Sequence, residues 1–211
     1  MKKTNLTLHH TAIYANDDVK EQFLTVDEVH RKRWNGKTKS RMGYYGGYHY
    51  LIERNGFVAQ YRNDDETGAH NNKGLKRIGA WMYSENYYSI GISFAGNMSK
   101  QELTAKQIES AVKKIKELQT KHNIPNENIR PHRATSSTQC PGNNIPDKAW
   151  EYLQEQYEKL DKDEPIIKWH KRNQIIEKWN NPPTEEELKQ GWIAYKLAKA
   201  IASGKLKDFN I

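Results

Sequence analysis

The stretch Tyr48-His49-Tyr50-Leu51-Ile52-Glu53-Arg54-Asn55-Gly56-Phe57-Val58-Ala59-Gln60-Tyr61 reads as two β-rich runs joined by a short polar turn. Aromatic and β-branched residues suit a pleated, half-buried surface. Asn-Gly is the favoured central pair of a type I′ turn, in which both central residues need φ > 0. A hairpin over 48–61 with a type I′ turn at Asn55-Gly56 is therefore expected.

Upstream, Leu6, Leu8, His10 and Ala12 alternate with Thr7, His9 and Thr11, the period of a strand. Val26, Val29 and His30 carry a helical pattern over much of 18–33, which Asn35-Gly36 ends. A basic loop runs on to about Tyr45. Downstream, a loop holds Gly68-Ala69-His70, and Tyr88–Phe94 reads as a buried strand. Thr104 with Gln107 forms a capping box. Ile108, Val112, Ile115 and Leu118 then recur every three or four residues, predicting a helix over 105–121. Pro131-His132-Arg133 opens a polar loop to Cys140-Pro141-Gly142, and a helix at 146–158 carries Trp150, Leu153 and Tyr157.

This order predicts an α/β domain over 1–160, a central mixed β-sheet flanked by helices. Asp161-Lys162-Asp163-Glu164-Pro165 reads as a charged hinge. Residues 166–211 read as a small helical extension. Its two amphipathic helices carry Trp169, Trp179 and Trp192, and it is expected to dock on the domain or to serve as a targeting module.

The chain has 211 residues, 36% of them hydrophobic, and 12 Tyr, 6 Trp and 4 Phe give it ample apolar surface to bury. Its formal net charge of +8 favours a polyanionic partner, such as nucleic acid or the anionic polymers of a bacterial wall. The chain has none of the recognisable nucleic-acid-binding motifs, so nucleic acid is set aside as a partner. A single cysteine excludes an internal disulfide. No apolar run is long enough to span a membrane. Met1-Lys2-Lys3 is followed by no apolar leader core. The expectation is a protein made in the cytoplasm that reaches its substrate by another route.

His9, His132 and Cys140 offer two imidazoles and a thiolate, a plausible three-ligand set for a catalytic zinc that keeps a fourth position open. Singly, each has a plainer reading: a core histidine, a loop histidine and a buried thiol. Their spacing lacks the short pairs of a zinc finger.

The surrounding motifs occur in a fixed order. They are His9-His10-Thr11-Ala12, Gly47-Tyr48-His49-Tyr50, Gly68-Ala69-His70, Asn86 with Ser89-Ile90-Gly91-Ile92, and Pro131-His132-Arg133 through Thr138-Gln139-Cys140-Pro141-Gly142. Over residues 4–158 the chain resembles the type 2 N-acetylmuramoyl-L-alanine amidases, which share a fold with the peptidoglycan recognition proteins. The resemblance implies one catalytic Zn²⁺ on His9, His132 and Cys140. It also implies peptidoglycan as substrate, cut between muramic acid and L-alanine. Tyr48 matches a tyrosine over the metal that orients the substrate or stabilises an oxyanion. Thr138 stands where some phage members carry a lysine, which leaves open how that charge is stabilised.

His49, His70 and Asn86 are candidates to line the groove or to orient ligands from behind, and Tyr44, Tyr45 and Trp81 are candidate groove walls. Rival readings are a peptidase of the stem or cross-bridge and a binding module without catalysis. A phage or prophage endolysin released by a holin or by lysis is the expected setting.

Overall fold

The computed structural model describes residues 2–15, 22–71, 76–78 and 81–163. The chain divides into two compact units, Met1–Tyr157 and Glu158–Ile211. The helices expected over 166–204 and the end of the expected hinge, 164–165, lie outside the described residues.

Five strands form a mixed sheet: β1 (Asn5–His10), β2 (Tyr50–Ile52), β3 (Val58–Gln60), β6 (Ser89–Phe94) and β7 (Ile129–Pro131). Their order across the sheet is β3-β2-β6-β1-β7. β2, β6, β1 and β7 run parallel, and β3 returns antiparallel to β2. A separate two-stranded ribbon, β4 (Lys76–Ile78) with β5 (Trp81–Tyr83), and a four-residue helix, α2 (Glu85–Tyr88), precede β6.

The 48–61 hairpin forms, but its turn differs from the expected one. Glu53 N donates to Phe57 O, and Gly56 N donates to Glu53 O. Gly56 has φ 86°, whereas Asn55 is not among the residues with positive φ. The loop is thus a three-residue turn closed by a left-handed glycine. Asn55 serves it through its side chain, which accepts from Phe57 N at 2.9 Å.

Both central strands are buried throughout. Successive side chains alternate faces, and the register sorts them sharply. Leu6 lies beside Ile90 and Leu8 beside Ile92, and these residues are fully buried on the apolar face. On the other face Asn5 lies beside Ser89, Thr7 beside Gly91, and His9 beside Ser93. A buried polar face is tolerated only when its groups are partnered, and this is the face on which the site is built.

The helices follow their caps. α3 (Ala105–His122) starts at the expected capping box, with Thr104 Oγ1 accepting from Gln107 N and Gln107 Oε1 accepting from Thr104 N. It buries Ile108, Ala111, Val112, Ile115 and Leu118 and ends on Asn123 at φ 55°. α1 (Gln22–Arg33) buries Gln22, Val26 and His30, one narrow i, i+4, i+8 stripe. Val29, expected on that stripe, is 49% exposed. α4 spans Ala149–Asp163, starting and ending later than the expected 146–158. Among the described residues, no helix is long and apolar enough to cross a membrane.

Candidate metal centre

His9 is the next-to-last residue of β1 and points from the polar face, 1% exposed. β7 pairs with β1 so that Leu8 lies opposite Pro131. The residue after Pro131, His132, therefore emerges beside His9, with ring centroids 4.4 Å apart. The loop from there to Cys140 is held by Arg133. Its guanidinium donates to the carbonyls of Gln139 at 3.1 Å and Gly142 at 3.2 Å, and its backbone N–H donates to Cys140 O at 2.9 Å. His10 N–H points at Cys140 Sγ, 3.5 Å away.

The ligand atoms of His9, His132 and Cys140 all lie within 4.8 Å of one another. His9 Nδ1 and Cys140 Sγ are 3.7 Å apart. Two ligands bound at Zn–N and Zn–S lengths about a tetrahedral ion would stand roughly 3.5 Å apart, so this pair fits zinc. Protonation fits as well. Burial, with His70 and His132 nearby, holds His9 well below the usual histidine range. Burial also lowers His132 to about 4. Both rings are thus neutral at pH 7, as ligation requires. Burial pushes the Cys140 thiol up to about 11. A coordinating cation reverses that balance, because a thiol bound to zinc is deprotonated outright.

The three ligands form part of a cleft of about 520 Å³, which Tyr48, His70, Ser136, Ser137, Thr138 and Gln139 also line. The Tyr48 ring lies 5.1 Å from that of His9. Burial, followed by the proximity of Cys140, raises the Tyr48 hydroxyl above the ordinary tyrosine value. Tyr48 is therefore a neutral hydrogen-bond donor and a poor base. Thr138 Oγ1 accepts from Cys140 N at 3.2 Å, which leaves its own O–H free to donate.

The other expected site residues divide. His70 lines the cleft and places Nδ1 3.0 Å from His9 Nε2. Asn86 lies behind it: its side-chain oxygen accepts from His70 N at 2.8 Å and Asn71 N at 2.7 Å, pinning that loop. His49 is fully buried and away from the cleft lining. Its Nδ1 accepts from Gly91 N and its Nε2 faces Glu66 O, because alternation on the hairpin turns it inward when Tyr48 turns outward. Tyr44 packs edge-on to Phe23 at 4.8 Å within an aromatic cluster that includes Tyr61. Neither Tyr44 nor Tyr45 lines the cleft. Trp81 belongs to β5, and its side chain lies outside the described residues.

The cleft also takes in His30 and Arg33 from the end of α1 and Trp34 just beyond it, which the sequence motifs do not include. His30 Nδ1 accepts from Gly47 N at 2.9 Å, bracing the backbone just before Tyr48. Arg33 lies over the Trp34 ring at 5.7 Å. The helical pattern located His30, but nothing in the sequence ties the helix end to the distant ligands.

An α/β domain with three clustered ligands on a cleft floor is the arrangement of a candidate metallohydrolase. The chain belongs to the N-acetylmuramoyl-L-alanine amidase family, Amidase_2, whose model matches residues 2–143. Peptidoglycan-recognition protein SC2 of Drosophila melanogaster is 36% identical over 100 residues, 47% of this chain and 48% of that protein. The chain thus matches about half the length of such relatives. Among solved structures, the N-acetylmuramoyl-L-alanine amidase LysC from Clostridium intestinale URNW superimposes with TM-score 0.54 at 26% identity, over 74% of this chain and 85% of that one. Bumblebee PGRP-SA shares the fold, with TM-score 0.54 at 22% identity over 68% and 78% of the two chains.

Proposed function

We propose that this chain hydrolyses the amide between N-acetylmuramic acid and L-alanine in bacterial peptidoglycan, with one zinc on His9, His132 and Cys140. The observation that carries this reading is the convergence of those three ligand atoms on the floor of an open cleft. Zinc bound there would supply hydroxide at neutral pH and polarise the scissile carbonyl.

The chain's own residues supply the rest. Tyr48 offers a neutral O–H toward the oxygen on which charge develops, and preorganised donors of this kind are effective in a water-poor site. Thr138 offers a second O–H where a cationic residue would otherwise act. Neither group has to change protonation state to do so. Arg33 and Trp34 give the cleft a wall with a cation and an aromatic face, suited to the carboxylates of a stem peptide and the apolar face of a sugar.

The test is mass spectrometry of digested cell walls. The reading requires release of intact stem peptides with a free L-alanine amine and loss of that release on chelation. Cleavage inside the stem or cross-bridge would make the chain a peptidase. The similarity to recognition proteins favours a second reading, binding without turnover, which predicts wall sedimentation with no released peptide. The resemblance to the endolysin LysCS of Clostridium intestinale URNW, 26% identical over 74% of this chain, supports an endolysin role after synthesis in a host cytoplasm. Expression with and without a holin tests this, since lysis should need the holin.

A further inference from the structure

Behind His9, the polar face of the sheet carries a line of side chains that the reaction above leaves unused. His9 Nε2 is 3.0 Å from His70 Nδ1, and His70 Nε2 is 3.4 Å from Ser89 Oγ. Ser89 Oγ is 3.1 Å from Thr7 Oγ1, which is 3.5 Å from Glu85 Oε1. All five residues are buried, and Thr7 and Ser89 are fully so.

The last member sets the direction of the line. Glu85 is ion-paired with Arg130 at 3.5 Å and accepts from Asn5 Nδ2 at 2.9 Å. A carboxylate can only accept. Thr7 must then donate to Glu85 and accept from Ser89. Ser89 in turn accepts from His70 Nε2–H, which leaves His70 Nδ1 as an acceptor. His9 must therefore carry its proton on Nε2, and its Nδ1 lone pair is the one facing Cys140 Sγ at 3.7 Å. Which imidazole nitrogen binds a metal is set by the hydrogen bond of the other.

The surroundings are built for the middle member. A Cβ on Gly68 or Gly91 would lie 2.4 or 2.6 Å from the His70 ring, so both glycines make room for it. His49 cannot compete for His70, because both of its nitrogens are engaged elsewhere.

We infer that Glu85, acting through Thr7, Ser89 and His70, holds His9 in its Nε2–H tautomer and so turns the Nδ1 lone pair to the metal position before an ion arrives. Thr7, Ser89, His70 and Glu85 are positioning residues, and their role rests on the metal reading of the preceding subsection. Groups that orient a ligand in this way commonly alter metal affinity ~10–100-fold.

Long-range ¹H–¹⁵N correlation on the metal-free, histidine-labelled full chain reads the tautomers directly. Wild type should show His9 and His70 protonated on Nε2 alone. Thr7→Val, which keeps the shape and removes the O–H, should give a mixed His9 tautomer. It should also weaken zinc binding, measured by chelator competition, by ~10-fold. Thr7→Ser should restore both. Should Thr7→Val fail to fold, as judged by its melting transition, Ser89→Ala cuts the same line. A wild-type His9 protonated on Nδ1, or a folded Thr7→Val with unchanged tautomer and affinity, overturns the inference. Wild type that keeps the Nε2–H tautomer yet binds no zinc upholds the positioning line and sinks the metal reading instead.

Discussion

His9 Nδ1 and Cys140 Sγ stand 3.7 Å apart on the cleft floor, although 131 residues separate them in the chain. His9→Ala, His132→Ala and Cys140→Ser are each expected to lower zinc affinity beyond the ~10–100-fold typical of orienting residues. Each should abolish wall hydrolysis, as should chelation of the wild type. Chelator competition and turbidity clearing of cell walls measure the two effects. A zinc-free sample with full lytic activity would remove the metal from the mechanism.

Tyr48→Phe should keep zinc and lose ~10²-fold in kcat, within the range for one oxyanion-type donor. Burial raises the hydroxyl above its ordinary range, so Tyr48 stays protonated across the working range. No ascending limb of the pH–rate profile, the mark of a general base, should therefore vanish in the Phe variant. Loss of such a limb would show that Tyr48 acts as a base.

The sequence made the His9, His132 and Cys140 cluster legible because these residues stand in short motifs with a fixed order. It made the strands legible because Leu6, Leu8, Ile90 and Ile92 repeat at the period of a sheet. The turn type was not legible, since Asn55-Gly56 serves a type I′ turn and a three-residue turn with a left-handed Gly56 equally well. Tyr44 and Tyr45 read as groove walls because aromatic residues suit both a groove and a core, and only tertiary packing against Phe23 and Tyr61 places Tyr44 inside. The line from Glu85 to His9 was hidden for a similar reason. It depends on the parallel register that sets Thr7 beside Gly91 and Asn5 beside Ser89, which no local pattern encodes.

Two buried charges should shape stability against pH. Burial alone would raise Asp64, but hydrogen bonds from Lys121, Tyr50 and His122 outweigh it and bring it down to about 2. A lowered carboxylate pKa means stability that is present above the unfolded value and lost as pH falls through the folded one. Asp64→Asn should therefore lose about 1–2 kcal/mol at neutral pH, with the gap to wild type closing toward about pH 2. Lys3 moves stability in the same direction for a different reason, since burial disfavours its charged form. Burial lowers it from 10.5 to about 8 while its Nζ donates to the carbonyls of Glu66, Tyr87 and Ser89. Between those values the unfolded chain binds more protons, so Lys3 makes stability rise with pH. Denaturant titrations of Lys3→Met and wild type should diverge in favour of wild type above about pH 8. Parallel curves would contradict the buried, depressed ammonium.

Gly91 tests the packing around His70. It lies in β6 beside Thr7, and a Cβ there would meet the His70 ring at 2.6 to 2.9 Å. The ring has little freedom to retreat, because its backbone N–H is held by Asn86 and both ring nitrogens have partners. Gly91→Ala is therefore expected to destabilise the fold by about 1–3 kcal/mol, the usual penalty for overpacking a filled interior. It should also weaken zinc binding, since the ring it displaces is the one that orients His9. His70→Ala removes the atoms the new methyl would strike. In that background Gly91→Ala should be nearly neutral, so the double-mutant cycle should give a coupling of similar size to the single-variant loss. Equilibrium denaturation of the four proteins measures it. Additive losses would mean that Gly91 is required by the strand backbone and not by the histidine behind the metal ligand.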